Sequence, residues 1–178
     1  MANEFTPILR RRIHEVHKIL PTPTILRKYP LRIWSSSMIL VRHAEREGGP
    51  NPPLSQAGQA RANLLCHMLQ DENLSAVFVT NTNRSRQTGQ PTANGQGLPL
   101  TQYDATDGPA LASTIRLHHP GGKVLVVAHS NTVDDIAGAF GVPGLQELAE
   151  SQVDRMFILS RNWCGTRLTR LRYGNSTP

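Results

Sequence analysis

In the segment Leu40-Val41-Arg42-His43-Ala44-Glu45, an arginine and a histidine follow a short apolar run. Two further segments repeat that plan. Residues 76–80, apolar but for Thr80, precede Asn81, Asn83, Arg84 and Arg86, and the run 123–128 leads to His129, Ser130 and Asn131. These residue types suit phosphorus chemistry. A neutral imidazole can attack phosphorus and hold the phosphoryl group covalently, splitting one hard displacement into two easier ones. The guanidinium of arginine is a permanently charged planar fork matched to phosphate oxygens. A second histidine, if protonated, would stabilise the equatorial oxygens as the transition state forms. A single histidine at a strand end is ordinarily a loop residue. The joint occurrence of Arg42, His43, Arg84 and His129 is what points to one anion pocket with His43 as its nucleophile.

Distant residues converge only if a scaffold brings them together. Apolar patterning predicts strands at 38–41, 76–80, 98–103, 123–128, 153–160 and 166–173. Helices are expected at 55–70, capped by Ser55 and carrying Ala57, Leu64, Leu65, Met68 and Leu69 on one face, and at 84–93 with Pro91 near its end. Others are expected at 108–118 and at 131–140, the latter with Asp134 and Asp135 in its favourable first turn. Strands interleaved with helices imply a three-layer α/β/α sandwich with a mostly parallel central sheet. In such sheets ligands collect beyond the carboxyl ends of the strands, where all three polar segments fall. The amides opening helix 131–140 would add to an anion site there.

Four segments, in this order and spacing, resemble the histidine phosphatase superfamily, also called phosphoglycerate mutase-like. They are Arg42-His43-Ala44, Pro53-Leu54-Ser55-Gln56-Ala57-Gly58, Thr80-Asn81-Thr82-Asn83-Arg84-Ser85-Arg86-Gln87-Thr88 and Val127-Ala128-His129-Ser130-Asn131-Thr132. The likeness spans nearly all of 38–173, and Arg172-Tyr173-Gly174 looks like the ending of the smaller bacterial subgroup. It implies a phosphoglycerate mutase-like fold and a metal-independent phosphatase working through a phosphohistidine on His43. Arg42 and Arg84 would bind phosphate, His129 would be the second pocket histidine, and Arg46 a further ligand. Gly58 would permit close packing of its helix on the sheet. The general acid is placed less firmly, because the region 98–110, where larger members carry it, is short. Asp104 is the first candidate, followed by Asp107 and Glu45, with no dedicated acid as the remaining option. The short region also leaves little of a lid, which disfavours mutase activity.

The alternative is a catalytically weak or inactive phospho-ligand-binding domain of the same fold. No cofactor is expected, and no metal: Cys66 and Cys164 lack ligand spacing and read as reduced thiols, and His118-His119 has no third ligand near it in sequence. Arg86 and His67 read as surface residues. Net charge is +6, but five of those charges belong to residues 1–37, so the body offers no basic stripe for nucleic acid. No apolar run reaches the roughly 18 residues of a membrane span. The expected partner is a phosphorylated small molecule or phosphoprotein. The chain divides into a basic extension, 1–37, with an amphipathic helix at 7–20, and a phosphatase domain, 38–178. The extension is compatible with a start assigned too early, a surface-docking helix or an organelle transit peptide. A cytoplasmic location is expected unless it directs targeting.

Overall fold

The computed structural model describes residues 35–177. The amphipathic helix expected at 7–20, and most of the basic extension, lie outside the described residues. Ten elements follow in order: β1 (Ser36–Arg42), α1 (Gln56–Leu69), β2 (Ala76–Val79), α2 (Asn83–Gly95), β3 (Leu100–Gln102), α3 (Gly108–His118), β4 (Lys123–Ala128), α4 (Val133–Ala139), β5 (Arg155–Asn162) and β6 (Gly165–Arg172). The strands form one sheet in the order β3-β2-β4-β1-β5-β6. The pairs β3–β2, β2–β4 and β4–β1 are parallel, and β5 alone runs against its neighbours.

Continuous apolar runs produce the central strands because both of their faces are covered. Met38, Leu40, Phe78, Val124 and Val126 pack under α3 and α4 with Leu111, Ile115, Ile136 and Phe140. Ile39, Val41, Val77, Val79, Leu125 and Val127 pack under α1 and α2 with Leu65, Leu69 and Ala93. The three-layer arrangement follows, with each buried aliphatic side chain contributing about 1.5–3 kcal/mol. Helix α2 comes close because Gly89 faces β2; a Cβ there would stand 2.8 Å from Val79 Cγ1.

Several boundaries differ from the sequence expectation. Strand β1 starts at Ser36, two residues early, because Ser36 and Ser37 are paired in the sheet and Ser36 Oγ also donates to the His119 carbonyl. Helix α2 runs through Pro91 to Gly95. Helix α4 is shorter than expected, starting at Val133. The buried face of α1 is Gly58, Arg61, Ala62, Leu65 and Leu69, while Ala57 is exposed and Met68 is 41% exposed. The hydrophobic stripe was misread because its second residue is a buried arginine. Arg61 donates to both carboxylate oxygens of Glu45, to Tyr173 O at 2.5 Å and to Asn175 O at 3.0 Å. It thus ties the segment after β1 to the chain beyond β6.

Candidate active site

Strand order places the pocket. β4 is made after β2 and β3 but lies between β2 and β1, so the connections reverse direction across the sheet. Crevices form at the carboxyl ends of strands where such a reversal occurs. Arg42 ends β1, His129 follows β4, and Arg84 opens α2 after β2.

His43 is 3% exposed, and its backbone N–H donates to Ala128 O at 2.9 Å, extending the β1–β4 ladder. Its Nδ1 lies 2.8 Å from Ala44 O, and Arg84 Nε donates to its Nε2 at 3.1 Å. A carbonyl only accepts and a guanidinium only donates, so the ring is neutral with its proton on Nδ1 and its lone pair on Nε2. Burial is the main reason the imidazole is held down to about 3, with the charges of Arg42, His129 and Arg84 acting in the same direction.

The segment that carries His43 is fixed from α2. Ala44 N donates to Thr88 Oγ1 at 3.0 Å, and that hydroxyl donates to Arg84 O at 2.7 Å. Gln87 Oε1 accepts from Leu54 N, and Asn51 Oδ1 accepts from Asn83 N. Gly58 has a related duty, different from the sheet packing expected of it: a Cβ there would overlap the carbonyl of Glu45.

The ring centroids of His43 and His129 are 5.3 Å apart. His129 Nε2 meets Thr80 Oγ1 at 2.9 Å, while Nδ1 is buried and has no partner among the described residues. The turn that holds it is closed by Thr132, whose hydroxyl accepts from the His129 amide. His129 is pushed down to about 4, chiefly by burial and then by Arg84 and Arg42. Burial therefore disfavours the protonated form of this second histidine, the form in which it would stabilise phosphoryl oxygens most strongly. Helix α4 begins at Val133, later than expected, and Thr132 makes no side-chain cap to it.

The arginines differ in availability. Arg84 is half-buried beside His43. Arg42 is buried, and its Nη2 donates to Glu150 Oε2 at 2.9 Å. Arg46 is exposed at the rim, 3.9 Å from the same oxygen. Glu150, whose Oε1 accepts from Ser130 Oγ, lies outside every segment singled out in the sequence. Glu150 carries no signal there, being a lone acid in an irregular segment. Thr88 and Gln87 lie inside a motif singled out in the sequence, but their bonds to Ala44 N and Leu54 N depend on the fold.

A cavity of about 470 Å³ opens beside His129, lined by Thr80, Thr82, Gln102, Tyr103 and Asp104 among others. Asp104 is thus close to the site, but it is not set up as an acid. Its carboxylate accepts from Thr106 N and Oγ1, which hold it below the usual carboxylate range. Asp107 accepts from Ala110 N as the cap of α3, and Glu45 is committed to Arg61. Arg86 and His67 are exposed as expected, and both cysteines are free. Among the described residues no group of three or more His, Cys, Asp or Glu could hold a metal, and no helix is long and apolar enough to cross a membrane.

Residues 38–106 match the profile of the "Histidine phosphatase superfamily (branch 1)". Among solved structures, a mycobacterial glucosyl-3-phosphoglycerate phosphatase is similar at 12% identity and a TM-score of 0.60, over 80% of this chain and 100% of that one. The protein histidine phosphatase SixA, complexed with tungstate, is similar at 15% identity and a TM-score of 0.61, over 76% of this chain and 96% of that one. A protein described as "Mycobacterial hydrolase 1" is similar at 14% identity and a TM-score of 0.62, over 79% and 100%. At these identities the likeness concerns the fold. No curated protein sequence matches.

Proposed function

We propose that this chain belongs to the histidine phosphatase superfamily, whose profile matches residues 38–106, and is a metal-independent phosphatase that hydrolyses a phosphate ester through His43. The observation that carries the reading is the neutral His43 imidazole, with its Nε2 lone pair turned to the Arg84 guanidinium. A phosphoryl group bound by Arg84 would sit against that lone pair. Nε2 attacks, the N–P bond forms, and the P–O bond to the leaving group breaks. Charge spreads over the equatorial oxygens, where Arg84, Arg42 and an N–H of His129 stabilise it. Water then attacks the phosphohistidine, releasing inorganic phosphate and restoring the neutral ring.

The leaving group departs toward the cavity beside His129 and takes its proton from solvent. Asp104, Asp107 and Glu45 are all engaged as hydrogen-bond acceptors. Substrates whose leaving group needs little protonation are therefore favoured, whether small molecules or phosphoproteins. The test uses the full chain with aryl and alkyl phosphates. Aryl phosphate should be hydrolysed faster, and a phosphoenzyme labile to acid should be trapped on wild type and be absent from His43→Ala. Wild-type enzyme with neither turnover nor a trapped intermediate would leave the phospho-ligand-binding alternative in its place.

A further inference from the structure

The Arg42 guanidinium is already occupied. Its Nη1 donates to the carbonyl oxygens of Ala149, at 2.9 Å, and Glu150, and its Nη2 donates to Glu150 Oε2 at 2.9 Å. Only Nε is without a partner among the described residues. The other Glu150 oxygen accepts from Ser130 Oγ at 3.0 Å, and Arg46 Nη2 lies 3.9 Å from Oε2. A carboxylate held by an arginine, a hydroxyl and a second arginine uses the kind of donor set that phosphoryl oxygens require.

Two facts make this occupancy reversible. The Glu150 side chain is 74% exposed, so turning it into water breaks exposed contacts and little packing. It also stands in an irregular stretch between α4 and β5. Its charge acts on Arg84 and His129 as well as on Arg42, three of the groups that face the phosphate position.

We propose that Glu150 is an internal competitor for the phosphate site: a tethered carboxylate that holds Arg42, Arg46 and Ser130 until a phosphoryl group displaces it. It thereby sets how tightly substrate and product phosphate are held. The inference rests on reading this pocket as a phosphate site. Displacement costs the bound ester and the released phosphate alike, so KM and the inhibition constant for phosphate rise together while the step at His43 is spared. Weak retention of phosphate also speeds its release.

Full-length Glu150→Gln keeps an oxygen for Arg42 and Ser130 but removes the charge. Calorimetric titration should show inorganic phosphate and tungstate binding about threefold to tenfold tighter than to wild type, the scale expected for an exposed ion pair. KM for an aryl phosphate should fall in parallel, with kcat within about twofold. Glu150→Ala should shift in the same direction, and thermal melts confirm that both variants are folded. Binding as weak as wild type in both folded variants overturns the proposal. Titration needs no turnover, so tighter binding by the variants of an inactive wild type sinks the hydrolase reading alone. Normal turnover with unchanged binding sinks this inference alone.

Discussion

Arg84 Nε lies 3.1 Å from Nε2 of His43, so a side chain at the start of α2 fixes the tautomer of a ring at the end of β1. The contact does two things. It selects the ring form with its lone pair on the pocket side, and it keeps a permanent positive charge beside Nε2. Truncation to Arg84→Ala should lower kcat/KM by about two to three orders of magnitude, the usual scale for losing a transition-state donor. Arg84→Lys should recover only part of this, because an ammonium restores charge without the planar fork. Steady-state kinetics on an aryl phosphate, with both variants shown to be folded, provide the comparison. Activity of Arg84→Ala within about threefold of wild type would remove Arg84 from the reaction.

The two pocket histidines also make stability depend on pH. Both have folded values below the ordinary 6.5: about 3 for His43 and about 4 for His129. Below pH 6.5 the unfolded chain binds protons that the folded site refuses, so unfolding is favoured as pH falls. Their contribution is fully present above 6.5 and is lost progressively toward 4 and then 3. Melting temperature should therefore decline between pH 7 and 4.5, before most carboxylates titrate, and the decline should be shallower in His43→Gln. An equal slope in that variant would show that His43 is not the group resisting protonation.

Asp104 offers a sharper test of proton supply. Since Thr106 holds its carboxylate ionised, Asp104→Asn should keep kcat within about threefold of wild type on alkyl as well as aryl phosphates, whereas loss of a true general acid costs about 10²–10⁴-fold. A selective collapse on alkyl phosphates would restore Asp104 as the acid.

Much of this was legible in the chain. The central strands are unbroken apolar runs, so layer order and the positions of Arg42, His43, Arg84 and His129 at strand ends could be read directly. What could not be read depends on partners far away in sequence. Arg61 lies on the buried face of α1 although it is charged, because Glu45 and two carbonyls beyond β6 satisfy its charge there. The protonation state of His129 follows from burial beside two arginines, which no local pattern encodes. Glu150 reaches Arg42 across 108 positions of sequence. Asp104 illustrates the reverse error: an acid at the right end of a short strand was suggestive, yet a neighbouring threonine two residues on decides its state.

The late insertion of β4 carries a consequence for how activity is lost. Ser37 pairs with Lys123 and Ala76 with Val124, so the strand bearing His129 supplies the common neighbour of β1 and β2. Contacts this distant along the chain form slowly, since loop-closure entropy opposes them before they give any return. Until that strand is seated, the two halves of the pocket have no shared floor. A molecule that releases β4 also separates His129 from His43. Catalytic competence and the native sheet should thus vanish in a single step on heating, and residual turnover in a partly denatured sample would count intact molecules rather than measure damaged ones.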